Sequence, residues 1–321
     1  MHVPKTGGTA IGRWLKSVYR ARDYVHLDVQ QIADLPPESL ARHRCYHSAG
    51  HFGRDVLRMT RRDDLATFTV LREPIERCVS GYHHFRRALL LHPQTFRPGY
   101  VARMLARLPE DISDVDHDFL DTIRDTQTDV LGARRDYEGF FDDLRRRRAA
   151  EGRSALLRPH VVAHVPGTED PRRTFARAVE WLRTMPVVGL AERFGETLQL
   201  VADLLGVPPP RIPVTANANP TRKTLHETYR SALAPDTLAQ LEAINRQDLA
   251  LHEIARDLFE QQWARFRSRR GRTISIGPRW RSLENRLGSR ERGLEKSRNP
   301  IATSLAPGIP SSERGIAASD S

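Results

Sequence analysis

At 321 residues, with 39% hydrophobic and 28% charged content, the chain is long enough to bury a core of one large domain or two small ones. It holds no apolar run of the roughly 18 residues that a bilayer span needs, no signal-peptide opening, and only two cysteines, Cys45 and Cys78, at no metal-ligand or disulfide-framework spacing; a soluble, cytoplasmic protein is expected. The net charge of +11 is concentrated from Arg265 onward, where 13 Lys/Arg stand against 5 Asp/Glu (net +8), leaving +3 on residues 1–264 (38 basic, 35 acidic), so composition gives no case for a basic nucleic-acid-binding domain.

Residues 2–9, His2-Val-Pro-Lys5-Thr6-Gly7-Gly8-Thr9, put a lysine, two glycines and two hydroxyls where a strand should turn into a helix. Helix N-terminal N–H groups point at an anion, and glycines let it approach the main chain. Lys5 adds a full charge, and Thr6 and Thr9 add hydroxyl donors. In the common nucleotide-triphosphate loop the lysine follows the glycines, whereas here it precedes them. A Gly-Gly turn followed by Thr is also ordinary helix-start chemistry, and that reading stands beside the first. Ile11, Trp14, Leu15 and Val18 recur at helical spacing, so a helix is predicted over residues 10–19. The strand before the loop is reduced to residues 1–3.

A buried parallel strand is predicted over residues 65–71, stopping at Arg72-Glu-Pro, and a helix over 75–91 with Pro74 at its first position. Helices follow over 100–108, 140–149 and 175–183, with Arg145 to Arg148 read as an exposed face. Residues 186–190 read as a second short strand, and 194–205 as a helix closed by Gly206. Residues 213–224 read as a loop, and 235–263 as one long amphipathic helix. The fold class is α/β: a P-loop-like parallel sheet flanked by helices, a helix-rich second half, and a basic, largely disordered C-terminal tail. The division falls at 1–264 and 265–321. The turns at Lys5 and Arg72 would share the carboxyl edge of the sheet, as suits a ligand with phosphates at both ends.

These residues resemble the sulfotransferases that use 3′-phosphoadenosine-5′-phosphosulfate (PAPS), specifically the carbohydrate type similar to heparan sulfate 2-O-sulfotransferase. Residues 2–9 look like that family's 5′-phosphosulfate loop. Val70-Leu-Arg72-Glu-Pro-Ile-Glu-Arg-Cys-Val-Ser80 looks like its 3′-phosphate element, which implies that Arg72 and Ser80 hold the 3′-phosphate. Weaker echoes are Gln127-Thr-Asp-Val-Leu-Gly132 and Val188-Gly-Leu-Ala-Glu-Arg-Phe194. Residues 217–224 are placed like the late loop over the nucleotide, which makes Thr221, Arg222 and Lys223 donor-site candidates. Chemically, Arg72 offers a planar fork for phosphate, and Ser80, eight residues on, lies about two helical turns away. The alternatives are an Arg72 ion pair with Glu73 or Glu76 and a helix-face hydroxyl at Ser80.

Sulfuryl transfer to an alcohol needs a base, and histidine is poised for one near neutral pH. Gly50-His51-Phe52 resembles the family's Gly-His motif, which implies His51 as the base; Ala49 stands where the heparan enzyme has a second histidine. His47 reads equally as a surface or core histidine, and His83 and His84 as packing or rim residues. The reading is a PAPS-dependent sulfotransferase, with Lys5 also catalytic, no metal, and a glycan or other hydroxyl-bearing acceptor. A nucleotide kinase-like enzyme is disfavoured, because the chain has no Gly-x-x-x-x-Gly-Lys-[Ser/Thr]. A non-enzymatic binder of nucleic acid or an anionic surface, acting through the basic tail, is the other alternative.

Overall fold

The Gly-Gly turn does open a helix. In the computed structural model, which describes residues 2–27, 35, 37–48, 54–96, 99–115, 124–134, 136–151, 170–210 and 228–272, helix α1 (Gly8–Val18) begins directly after Gly7 and buries Ile11, Trp14 and Leu15. Strands β1 (Tyr24–Leu27) and β2 (Cys45–Ser48) flank the four-residue helix α2 (Pro37–Leu40). Strand β3 (Phe68–Leu71) then runs into α3 (Pro74–Leu91). Helices α4 (Tyr100–Ala106), α5 (Thr126–Gly132), α6 (Tyr137–Glu151) and α7 (Pro171–Thr184) precede strand β4 (Val187–Leu190). Helices α8 (Phe194–Leu205), α9 (Tyr229–Ala232), α10 (Pro235–Ile244) and α11 (Arg246–Arg272) complete the described order.

Every strand pairing among the described residues is parallel: β1 with β2, β3 with β4, and an isolated bridge from His2 to Val70. The protein is therefore a helix-rich α/β fold with a small parallel sheet. That bridge stands where a strand before the loop is expected, and the next residue, Val3, is fully buried. The main core joins α1, β3, β4, α7, α8 and α11 through residues such as Leu15, Leu71, Val188, Val201 and Phe259. Each such side chain contributes about 1.5–3 kcal/mol by leaving water. No helix among the described residues is long and apolar enough to cross a membrane.

Helix α3 starts where Pro74 and the following residues predict, with the Glu73 carboxylate accepting from Glu76 N–H at 2.7 Å. Helix α8 ends at Gly206 in the left-handed region (φ 64°). Strand β3 is shorter than expected, since residues 65–67 form no strand. The expected helix over 235–263 is two helices, broken at Asn245. There the Asn245 side chain donates to Leu241 O (2.9 Å) and accepts from Asp125 N–H (3.1 Å), an exchange possible only off the helix axis. Strands β1 and β2 are absent from the sequence reading. Each has only four residues, and a histidine in each (His26 and His47, register partners) interrupts the apolar pattern.

The chain divides into two units, Met1–Ser268 and Arg269–Ser321. Helix α11 continues through residues 265–272, where the sequence reading begins its tail; Phe259, Trp263 and Phe266 stack in series, and Phe266 is buried. Residues 273–321 lie outside the described ones.

Helices α5 and α11 cap one another. Asp125, in the left-handed region (φ 37°), does not cap its own helix. Its carboxylate instead accepts from Gln247 and Asp248 N–H, both at 3.0 Å. Asp248 returns the contact, accepting from Gln127 N–H (3.0 Å) and Thr128 N–H (2.7 Å). Orphan first-turn amides of both helices are thus satisfied by carboxylates, with the favourable dipole sign.

Candidate functional site

The loop before α1 is built around two glycines. Gly7 sits at φ 95°, and a Cβ there would lie 2.7 Å from the Phe194 ring at the start of α8. A Cβ on Gly8 would fall 2.0 Å from the His2 ring. Lys5 is itself left-handed (φ 70°), a conformation that costs a non-glycine residue energy. The turn is locked by the buried Thr6, whose hydroxyl donates to Val3 O at 2.8 Å. In this structure the Thr6 hydroxyl thus closes the loop, while Thr9 is exposed on the first turn of α1. That turn contains no acidic residue, so its outward N–H groups meet no anion of their own helix.

Lys5 and Ser80 are separated along the chain but line one cavity of about 170 Å³ with His83, His84, Arg87 and Tyr229. Among the described residues none that lines it is acidic. The Lys5 stem passes Gly81, whose added Cβ would be 3.9 Å from Lys5 Cγ. Burial, reinforced by the positive charges of Arg72 and Arg87, pushes the Lys5 ammonium down to about 8. Burial and then Lys5 and Arg87 lower His84, and burial with Arg87 and Arg86 lowers His83. The lowered values share two causes, burial first and neighbouring positive charge second, and an incoming polyanion would relieve the second.

Arg72 stands beside this cavity and does not line it. Its guanidinium donates to Lys5 O (3.4 Å) and to Glu76 Oε2 (3.2 Å), so the Glu76 ion pair is present and the fork also ties β3 to the loop. Glu76 in turn accepts from Arg230 N–H at 3.1 Å. The Arg72 backbone is held from the other side: its N–H donates to Gln127 Oε1 (3.0 Å), and its carbonyl accepts from Gln127 Nε2 (2.9 Å).

A model of the sulfotransferase family matches residues 1–253, a span that holds the loop, the cavity, Arg72 and Gln127. The chain belongs to the sulfotransferase family. No curated relative matches it. Of the expected donor-site residues, the sulfotransferase brings Lys5 and Ser80 to one cavity, with Arg72 beside it, while Gly7, Gly8 and Thr9 follow Lys5 at the start of α1 and do not line it. His51, Thr221, Arg222 and Lys223 lie outside the described residues.

His47 lies elsewhere, buried under α1. Its ring is 5.5 Å from that of His2 and 5.0 Å from that of His26. A Cβ on Gly12 would lie 2.7 Å from the His47 ring, so Gly8 and Gly12, one turn apart, make room for His2 and His47. Among the described residues neither His47 nitrogen has a hydrogen-bond partner, and burial, with the charges of His2, His26, the N-terminus and Lys16, pushes it down to about 2. It is a neutral core histidine. Among the described residues no group of three or more His, Cys, Asp or Glu could hold a metal ion.

The sequence reading missed Arg87 and underrated His83 and His84. The signal was available: residues 84 and 87 follow Ser80 at i+4 and i+7 and so share its helix face. The role of Gln127 was not legible, because a side chain that holds a distant peptide leaves no periodicity.

Proposed function

We propose that this sulfotransferase takes its sulfuryl group from PAPS and delivers it to a hydroxyl of a carbohydrate-like acceptor, in the manner of the heparan sulfate 2-O type that its motifs resemble. The observation that supports this most is the cavity shared by Lys5 and Ser80, with no acidic residue among its described lining and a glycine-built helix start next to Lys5 in the chain. Two motifs that the resemblance assigns to opposite ends of one nucleotide are thereby neighbours.

In the reaction the acceptor oxygen forms a bond to sulfur as the bond from sulfur to the 5′-phosphate oxygen breaks, releasing adenosine 3′,5′-bisphosphate. Charge builds on the leaving phosphate. Lys5 and the N–H groups of Gly8 and Thr9 stabilise it. Arg72 and Ser80 fix the 3′-phosphate. His51 takes the acceptor proton, a role resting on its Gly-His resemblance alone. Thr221, Arg222 and Lys223 close over the donor on the same ground.

The test is a titration of the purified protein with adenosine 3′,5′-bisphosphate in the absence of Mg²⁺, followed by transfer of labelled sulfate from PAPS to a panel of glycans. Micromolar binding is expected in the wild type, with at least a tenfold loss in Ser80→Ala, about the worth of one charge-assisted hydrogen bond. Mg²⁺-dependent binding of ATP in its place would refute the donor assignment. Full transfer by His51→Ala would refute the base.

A further inference from the structure

Gln127 does for Arg72 what a neighbouring strand would do. Beyond the Leu71–Leu190 pair, Ala191 N–H still donates to Leu71 O at 2.8 Å, and there the β3–β4 ladder ends. The next peptide groups, the N–H and C=O of Arg72, would be orphaned in a half-buried place. One primary amide satisfies both, accepting at 3.0 Å and donating at 2.9 Å. Among uncharged side chains of this length only glutamine has a donor and an acceptor side by side.

The glutamine is itself held rigidly. It is fully buried, and its own N–H donates to Asp248, a residue 121 positions away that is also fully buried. The Asp248 carboxylate lies 3.8 Å from the Arg77 guanidinium. Helix α5, which carries Gln127, is pressed against α7: a Cβ on Gly132 would stand 1.9 Å from Thr174 O, and Arg177 donates to Gly132 O at 2.7 Å. The Arg72 main chain is therefore fixed from α5, while its guanidinium reaches Lys5 O and Glu76.

We propose that Gln127 is a positioning residue for the nucleotide site, holding the root of Arg72 so that its guanidinium meets the 3′-phosphate of the donor. The inference rests on the PAPS reading above. A planar guanidinium gains its bidentate geometry only if its anchor does not swing, and here the two peptide groups flanking the Arg72 Cα are clamped by one side chain. The Asp125–Asp248 exchange of caps then links the first turn of α11 to a phosphate contact it does not touch.

The experiment compares adenosine 3′,5′-bisphosphate with adenosine 5′-phosphate, which lacks the group Arg72 is assigned to hold. In Gln127→Glu, nearly the same shape but without the donor to Arg72 O, affinity for the bisphosphate should fall about tenfold, as for an unpaired buried carbonyl. Affinity for the monophosphate should change less than about twofold, within the scatter of surface effects. Gln127→Met, which removes both contacts, should do the same, with thermal unfolding confirming that each variant is folded. In an Arg72→Ala background neither change should weaken bisphosphate binding further, the non-additivity expected of two residues acting as one. Equal loss for both nucleotides, or additive losses with Arg72→Ala, overturns the inference and leaves the PAPS reading standing. Failure of the wild type to bind the bisphosphate at all overturns both.

Discussion

Raising the pH from 7 to 9 removes the proton from Lys5 while leaving the donor's charge unchanged, because phosphate monoesters complete their second ionisation near pH 6. The free protein holds this lysine at about 8, through burial and the charges of Arg72 and Arg87. A bound bisphosphate adds negative charge beside the ammonium and raises its value, so the protonated form is the one that binds. Through Lys5 alone, affinity is nearly full at pH 7, about halved at pH 8 and falls further as the free site loses its proton. At pH 9 only about one site in ten is charged, which gives a loss of roughly tenfold relative to pH 7. Lys5 is partly exposed, so solvent screening makes tenfold the upper end. The assay is calorimetric titration of adenosine 3′,5′-bisphosphate at pH 7, 8 and 9 with wild type and Lys5→Arg. Arginine stays charged throughout and should flatten the profile. A wild-type affinity unchanged to pH 9, or an equal fall in Lys5→Arg, would refute the placing of Lys5 against the phosphates.

Gly8→Ala puts a methyl 2.0 Å from the His2 ring and forces the ring or the loop to move. We expect a stability loss of about 1–3 kcal/mol by chemical denaturation and weaker bisphosphate binding; an alanine variant with wild-type binding would show that the loop is not the cradle. Acid should destabilise the fold through His47, which is 8% exposed and held near 2. The folded state keeps it neutral while the unfolded chain takes up a proton below about 6.5, so stability is intact at neutral pH and is lost as pH falls, by about 2 kcal/mol at pH 5. His47→Phe should remove that part of the slope in urea melts between pH 7.5 and 5, and an unchanged slope would count against it.

What the sequence disclosed and what it hid follow from the range of the interactions concerned. Helices α1, α3 and α8 could be read because their signals are local: apolar spacing, Pro74 at a first helical position, Gly206 at a last. The loop at Lys5 and the turn at Arg72 could be picked out because their residue types, a lysine with two glycines and an arginine at a strand end, stand out locally. Strands β1 and β2 escaped because their inward side chains include His26 and His47, polar rings that only neighbouring strands and a glycine-faced helix can accommodate. The break at Asn245 escaped for a related reason, since its carbonyl is occupied by Asp125, 120 positions away.

The same contrast separates the two layers of the site. Lys5, Gly7, Gly8, Arg72 and Ser80 touch, or stand next to, the anion-suited cavity, and each betrays itself by residue type. Gln127 and Asp248 reach the site through peptide groups, at 3.0 Å to Arg72 N–H and 3.0 Å from Gln127 N–H, and many polar residues could pass for either in the sequence. The reach of such contacts is set by the fold and not by spacing along the chain. Arg72 and Asp248 can therefore be bound into one mechanical unit while lying on opposite sides of residues that serve neither. A substitution at Asp248 should accordingly be felt at the 3′-phosphate before it is felt at Lys5, because the path from α11 runs through Gln127 to the Arg72 peptide, whereas the Lys5 turn is closed independently by Thr6 and Val3.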